Sequence, residues 1–356
     1  MQRLSARRLS SVVATAVAVA VIAGAAVARG QDTTKPSSRV AVRGAGATFP
    51  APLYEAWIKR FTGQHSEVTL VYDAVGSGEG QRRFLAQTVD FGASDAALSD
   101  EQIASARSGA SLVPITAGMV VLAYNLPGLG GPLKLPRDVY VDMFAGRIRS
   151  WNDARLVAAN PGLALPARTI ALVARQDASG TTFAMTNHLS AVSDAWRDRG
   201  PGVGNIVDWR GAVMLARGNE GVAARIKVSE GAIGYVEYHF ARRLGLPMAH
   251  LENRAGRFVP PTEASGQTAL ARNATKMPPN RRLFLPDPEG ADAYPIVTFS
   301  WLLLQDRYPD PRRAAVLKKF VAWCLTDGQG LSRELGYIPL PAEVASISLA
   351  AVDRIE

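Results

Sequence analysis

A single cysteine, Cys324, occurs in 356 residues. That excludes an intrachain disulfide framework and any thiolate metal cluster. The histidines, His65, His188, His239 and His250, are dispersed with no second ligand at helical spacing, so no metal signature exists. A dinucleotide cofactor is also excluded. Gly44-Ala45-Gly46 lacks the third glycine at the right spacing, and Pro50 falls where the phosphate turn would run. There is no hydrolytic Ser-His-Asp order with a local signature, and no acidic cluster shaped for Mg²⁺. Dense Lys/Arg runs with interleaved aromatics are missing too. Arg82-Arg83, Arg242-Arg243 and Arg312-Arg313 are scattered pairs that read as solvated faces, so the formal charge of +9 does not make a nucleic-acid stripe. Internal repeats and low-complexity tracts are absent.

The composition is that of a globular chain with ample core, 47% hydrophobic and 20% charged, and the length suggests two domains. The N-terminus stands apart. Arg3, Arg7 and Arg8 precede an apolar run from Val12 to Ala28, which ends in the small-x-small triplet Ala26-Val27-Ala28. This pattern predicts a secretory signal peptide over residues 1–28. A retained membrane anchor is the competing reading, and the run is short and Ala-rich for a spanning helix. No lipid-acceptor cysteine follows the signal, so a soluble periplasmic protein is expected rather than a lipoprotein. Removing the signal's three arginines lowers the formal charge from +9 to about +6, a balance that also suits an anionic small ligand. Residues 29–38 read as a loose polar leader. Cys324, between Trp323 and Leu325, reads as a buried thiol.

The densest local signal is Arg175-Gln176-Asp177-Ala178-Ser179-Gly180-Thr181-Thr182. It follows the apolar run Thr169–Ala174, a buried strand, and precedes Phe183, Met185, Thr186 and Leu189, which fit one helix face. Ser179 is a natural N-cap, and Gly180 permits close backbone approach. Free N–H groups of a first helical turn suit an anion, the hydroxyls of Ser179 and Thr181 add donors, and Arg175 adds a guanidinium fork. Asp177 makes sense if it ion-pairs with Arg175 and holds it in place. A merely well-capped helix with Arg175 and Asp177 solvated stands against this. So does an aspartyl-phosphate loop with Asp177 as nucleophile, for which spacing and context are weak.

The same order of strand, small-residue turn and helix recurs upstream. Val40–Arg43 reads as a strand, Gly44–Pro52 as the turn, and Leu53, Trp57 and Phe61 as a helix face. Val68–Tyr72 is a strand followed by a helix opened by Gly76-Ser77-Gly78-Glu79-Gly80. Val89–Asp95 is a short strand, and Ser99-Asp100-Glu101-Gln102 a capping box. Leu112–Asn125 is a long β stretch whose least strand-like point, Ala117-Gly118, is a candidate crossing between domains. Residues 137–160 read as helical, Gly218–Ile226 as a helix and Gly231–Val236 as a strand. The Pro- and Arg-rich residues 250–290 read as a loop-rich return with one short helix. Tyr294–Leu304 is β-like again, and Ala314–Trp323 and Gln329–Leu335 read as helices. This order predicts an α/β fold with ligands outside the carboxyl ends of strands.

Gly44–Pro52, Gly76-Ser77, Val89–Asp95 and Arg175–Thr181 together resemble the periplasmic phosphate-binding proteins of bacterial ABC phosphate uptake systems, the PstS family. Trp151-Asn152-Asp153, Asn160-Pro161-Gly162, Gly231–Tyr238 and Tyr294-Pro295-Ile296 extend the match over nearly the whole mature chain. The resemblance implies a hinged, two-domain type II periplasmic-binding-protein fold with the ligand in the interdomain cleft. Residues 39–115 plus 260–356 would form one domain and 116–259 the other. It implies phosphate contacts from Thr48, Phe49, Ser77, Asp95, Arg175, Asp177, Ser179, Gly180 and Thr181. It further implies delivery to ABC transporter permease subunits, with no enzymatic activity, no cofactor and no nucleic-acid partner, by a monomer. Where the family commonly has Gly-Ser-Ser-Gly-Gly, this chain has Gly76-Ser77-Gly78-Glu79-Gly80, and Glu79 is expected to face solvent.

Phosphate near neutral pH carries one or two protons, so its site needs donors and one acceptor. Asp95 is expected to accept the ligand's own O–H. Sulfate has none, and an unpaired buried carboxylate rejects it by ~10⁴-fold or more. The other reading of Asp95 is a cap for the helix that follows it. Binding of another oxyanion and a secreted phosphatase using Asp177 or Ser179 remain as alternatives.

Overall fold

The computed structural model describes residues 39–356. The expected signal peptide and the leader that follows it lie outside the described residues. Among the described residues, no helix is long and apolar enough to cross a membrane.

The chain opens with β1 (Val40–Gly46), α1 (Ala51–Gln64), β2 (Val68–Ala74), α2 (Ser77–Leu85), β3 (Phe91–Ser94) and α3 (Asp100–Ser105). The long β4 (Ser111–Tyr124) leads to β5 (Lys134–Leu135), α4 (Arg137–Phe144) and α5 (Ala154–Ala159). Then come β6 (Ala171–Arg175), α6 (Gly180–Val192), α7 (Asp194–Arg199), β7 (Val213–Ala216), α8 (Gly218–Val228), β8 (Ala232–Glu237) and α9 (Tyr238–Arg243). The return comprises β9 (His250–Glu252), β10 (Phe258–Val259), α10 (Glu263–Ala274), β11 (Val297–Leu304), α11 (Pro311–Leu325), α12 (Gln329–Leu335) and α13 (Ala342–Asp353).

Eight strands form one sheet in the order β2-β1-β3-β11-β4-β8-β6-β7. Each end of it is parallel: β2-β1-β3 on one side and β8-β6-β7 on the other. The join is antiparallel. Ser111–Met119 of β4 pair with β11, whereas Val120–Tyr124 pair with β8. A single 14-residue strand therefore belongs to both halves and changes partner between Met119 and Val120. Nearly every residue of β4 is buried, which explains its unbroken apolar sequence.

The helices follow from their apolar spacing. Leu53, Trp57 and Phe61 bury one face of α1, which packs on β2, and the Trp57 indole N–H donates to the Gly328 carbonyl at 2.7 Å. Each such side chain contributes roughly 1.5–3 kcal/mol by burial. Pro52 fits because it stands in the first turn, where a backbone N–H has no helical acceptor. The Ser99–Gln102 capping box forms in both directions. Cys324 is buried, and burial pushes its thiol pKa up.

Several elements differ from the sequence expectation. The stretch 137–160 is two helices, α4 and α5, broken after Phe144 where Gly146 takes a positive φ of 71°. β7 carries no turn-flanked alternation because it is a half-exposed edge strand of four residues. The return path holds a full 12-residue helix, α10, whose Thr262–Ser265 box caps it amid the surrounding prolines. The arginine pairs are exposed or half-buried but engaged: Arg82 and Arg83 with Glu79, Arg242 with Glu263, Arg243 with Glu220, Arg312 with Asp310 and Arg313 with Asp90.

Candidate functional site: a buried cluster of donors

The carboxyl ends of the parallel strands place four helix starts around one point. The β1–α1 turn carries Thr48 and Phe49, and the β2–α2 turn carries Gly76 and Ser77. The β6–α6 turn carries Asp177, Ser179, Gly180 and Thr181, and the β7–α8 turn carries Arg217 and Gly218. Ser179 caps α6 by accepting the Thr182 N–H at 3.1 Å. The other three helices, α1, α2 and α8, have no side-chain cap hydrogen bond. The amide N–H groups of Thr48, Phe49, Ser77, Gly180 and Thr181 find no acceptor among the described residues. Buried backbone donors are rarely left unpaired, and helix starts add partial positive charge. Donors arranged this way suit an anion.

Arg175 ends β6 with its side chain 1% exposed. Its Nε donates to Asp177 Oδ1 at 2.8 Å, its Nη2 donates to Asp177 Oδ2, and its Nη1 donates to Thr181 Oγ1 at 3.3 Å. Asp177 also accepts the Gly218 N–H at 3.0 Å. Burial alone would raise the Asp177 carboxyl. The hydrogen bonds from Arg175, its positive charge and the backbone N–H bonds, that of Gly218 among them, together outweigh burial and hold the carboxyl below its ordinary value. The carboxylate is therefore the brace for the guanidinium, as the spacing suggested.

Asp95 follows β3 and is 1% exposed. It does not cap α3, a role that Ser99 fills. It accepts the Ser300 hydroxyl at 2.8 Å, and its own N–H donates to Ser77 Oγ at 3.3 Å. Burial raises its carboxyl to about 7, with Ser300, Arg175 and Ser77 opposing the rise. Gly180 lies directly against it. A Cβ built on Gly180 would fall 2.6 Å from Asp95 Cβ and 2.6 Å from Ser77 Oγ. The α6 turn thus closes on the β3 and α2 ends with no room for a side chain, and Gly78 N–H bonds to the Ala178 carbonyl at 3.0 Å across the same seam. Phe49 contributes differently from the rest: its ring is fully buried in the core, so only its backbone reaches the turn.

Three participants escaped the sequence reading. Asn219, fully buried in the first turn of α8, bonds both Thr48 and Thr181. Tyr235 of β8 accepts the Arg175 N–H at 3.0 Å and pairs with the Thr182 hydroxyl at 2.7 Å. Ser300 of β11 holds Asp95. The asparagine after Gly218 at a helix start was the one local signal available. Ser300 lies more than 200 residues from Asp95 and only the sheet unites them.

Above the cluster opens a cavity of about 640 Å³, reached past Thr48, Glu55, Asp177, Arg217 and Phe240. Glu79 lines it at the α2 side. Hydrogen bonds from Arg82 and Arg83 lower its pKa and neutralise the charge that this chain's unusual turn introduces.

Glu237 at the end of β8 is fully buried. One oxygen accepts the His239 N–H at 2.9 Å and Oε1 has no partner among the described residues. Burial raises its pKa well above the ordinary value. The folded chain therefore holds this proton more tightly than the unfolded chain, and stability is lost as pH rises above the ordinary glutamate value. Glu237→Gln is expected to raise the melting temperature by a few degrees at alkaline pH and by less in acid, where both states are already neutral. Calorimetric melting across pH checks this, and an advantage that fails to grow with pH would contradict it.

The model of the PBP superfamily domain matches residues 25–327. The phosphate-binding protein PstS of Pasteurella multocida is 37% identical over 304 residues, covering 85% of this chain and 87% of that protein. The phosphate-binding protein PstS of Methanocaldococcus jannaschii is 34% identical over 361 residues, covering 96% and 92%. Among solved structures, the periplasmic phosphate-binding protein PfluDING bound with phosphate superposes with a TM-score of 0.71 at 20% identity, over 87% of this chain and 93% of that one. A phosphate-binding protein from Stenotrophomonas maltophilia gives 0.71 at 20% identity, over 88% and 94%. These likenesses show the two-domain periplasmic-binding-protein fold.

Proposed function

The chain belongs to the PstS phosphate-binding proteins of the PBP superfamily, and on that premise we propose that it binds inorganic phosphate between its two lobes and delivers it to the membrane subunits of an ABC transporter for uptake. It acts in the periplasm as a soluble monomer, exported by its N-terminal signal. Residues 39–115 with 260–356 make one lobe and 116–259 the other, and β4 is the crossing on which they hinge.

The observation that supports this best is the pairing of five amide donors, unpartnered among the described residues, with one buried acceptor. The N–H groups of Thr48, Phe49, Ser77, Gly180 and Thr181 surround the ligand, together with the hydroxyls of Thr48, Ser77, Ser179 and Thr181. Arg175 supplies guanidinium N–H donors from a fixed fork. Asp177 contributes through Arg175, which it holds by two hydrogen bonds. Asp95 accepts the phosphate O–H. Buried Arg175 and Asp177 cancel, so the site holds its anion with oriented dipoles rather than with surplus charge.

The phosphatase alternative needs a free nucleophile. Asp177 is committed to Arg175 and Gly218, and the Ser179 oxygen to its helix. Both arrangements favour holding phosphate over attacking it. Titration calorimetry on the mature chain, stripped of ligand, tests the proposal. Tight 1:1 heat with phosphate and none with sulfate above pH 7 is expected. Equal heats would point to a general oxyanion binder, and the absence of both would overturn the site.

A further inference from the structure

Asn219 joins two hydroxyls that the proposed phosphate site uses. Its backbone N–H and its Nδ2 both reach Thr48 Oγ1, at 3.2 and 3.0 Å, and Nδ2 also reaches Thr181 Oγ1 at 3.2 Å. The orientation of the amide is fixed from behind. Glu237 N–H lies 2.9 Å from Asn219 Oδ1. A backbone N–H can only donate, so the amide oxygen must face Glu237 and the NH₂ must face the threonines.

That fixes the hydroxyl protons. A threonine hydroxyl has one proton and two lone pairs. Thr48 Oγ1 receives two donors, both from Asn219. Thr181 Oγ1 receives two as well, from Arg175 Nη1 and Asn219 Nδ2. Both acceptor capacities are filled, and neither proton has an acceptor among the described residues. Asn219 is also fully buried, so water does not compete for its amide.

We propose that Asn219 is a positioning residue that sets the polarity of the site: it makes the Thr48 and Thr181 hydroxyls obligate donors to the ligand and so turns the ligand's protonated oxygen away from them, toward Asp95. This rests on the phosphate reading and deepens it. The ligand class it selects is a tetrahedral oxyanion with bare oxygens toward the two threonines and a single protonated oxygen toward Asp95. Anions that present a second O–H or an N–H at either threonine meet a donor facing a donor. The same bonds tie the α1 turn to the α8 turn across the sheet's two halves, so the polarity is complete only when they are closed on one another.

The test is calorimetry with phosphate on the full mature chain and its Asn219→Asp and Asn219→Ala variants, with phosphorus–proton correlation spectra of the complexes. Asn219→Asp keeps the shape and the acceptor for Glu237 N–H, but its side chain offers acceptors where donors stood, so the threonine protons turn to it. A loss of ~10²–10³-fold in phosphate affinity is expected, against ~10-fold for Asn219→Ala, which adds no charge. In the wild type, the two threonine hydroxyl protons should couple to the phosphate ³¹P, and in the Ala variant those couplings should weaken or vanish. Wild-type spectra in which either proton couples to no phosphate oxygen would overturn the proposal without any variant. Phosphate heat of equal size in wild type and Asn219→Asp would overturn it while leaving phosphate binding intact. No heat from the wild type would overturn both.

Discussion

Replacing Asp95 with asparagine is expected to convert a phosphate-selective site into one that takes sulfate. The Ser300 hydroxyl donates to Asp95 Oδ1 at 2.8 Å and would hold the amide oxygen of an asparagine in that place. Its NH₂ would then point into the site and donate where the carboxylate accepts. Phosphate would lose its proton acceptor, whereas sulfate would gain a donor. Sulfate affinity is expected to rise on the order of 10²–10³-fold, with phosphate weakened by about tenfold. The wild-type pH dependence carries the same logic. Because burial raises Asp95 to about 7, its carboxyl is protonated below that value and ionised above it. Below pH 7 it donates to sulfate, and above pH 7 it repels sulfate. Sulfate binding by the wild type should therefore strengthen as pH falls through 7, and in Asp95→Asn this dependence should vanish. Phosphate should respond less, since ligand and carboxyl share one proton whichever carries it. Calorimetry with both anions on either side of pH 7 decides the matter. Unchanged sulfate affinity in the variant would mean that Asp95 does not read the proton.

The sign for stability is the reverse of that for most carboxylates. A salt-bridged aspartate, such as Asp177, stabilises the fold above its unfolded pKa. Asp95 and Glu237 are raised instead, so each weakens the ligand-free protein as pH climbs from acid toward neutrality. At Asp95 the cost goes with the role proposed for it, accepting the ligand's proton.

What the sequence made legible follows the distance over which each interaction acts. The β6–α6 turn was readable because the cap, the close-approach glycine and the Arg175–Asp177 brace all lie within eight residues. Its chemistry is local, and propensity carries local information. The α/β order was readable for the same reason, since each strand, turn and helix announces itself. The partner change along β4 was only half legible. Gly118 marked a weak point in the apolar run, but the change from β11 to β8 at Met119 and Val120 depends on strands nearly 180 and 117 residues away. Asn219, Ser300 and Tyr235 were illegible as site residues. Each carries a common polar group, and each acquires its role only through a partner that the sheet brings near. Asp95 stood between the two kinds: its strand end was plain, but whether it capped α3 or faced inward depended on Ser300 of β11.

Gly180→Ala, the addition of one methyl group, is expected to abolish most phosphate binding while leaving the ligand-free fold intact. Gly180 begins α6, a position where alanine is ordinarily the better helix former. Backbone propensity thus predicts a neutral or stabilising change. The tertiary contact predicts the opposite. The new Cβ would lie 2.6 Å from Asp95 Cβ, 2.6 Å from Ser77 Oγ and 2.8 Å from Asp95 N. The first two distances lie far inside van der Waals contact, and Asp95's backbone cannot swing away as a flexible side-chain tip would, because β3 is fully buried between β1 and β11. The α6 turn must therefore stand off by an ångström or so. The Gly180 and Thr181 N–H groups retreat with it, and so does Arg175 through Thr181. A displacement of that size costs on the order of 10²-fold when several fixed donors must act together. Phosphate affinity is expected to fall ~10²–10³-fold, and an open ligand-free form should melt at or slightly above the wild-type temperature, because nothing in α6 itself is strained. The decisive comparison is calorimetry with phosphate beside the melting temperature with and without phosphate. The variant should lose the ligand-induced rise in melting temperature but keep its baseline. Wild-type affinity in the variant would show that the seam between Gly180 and Asp95 is not closed when phosphate is held. A lowered baseline would show that the seam supports the fold itself.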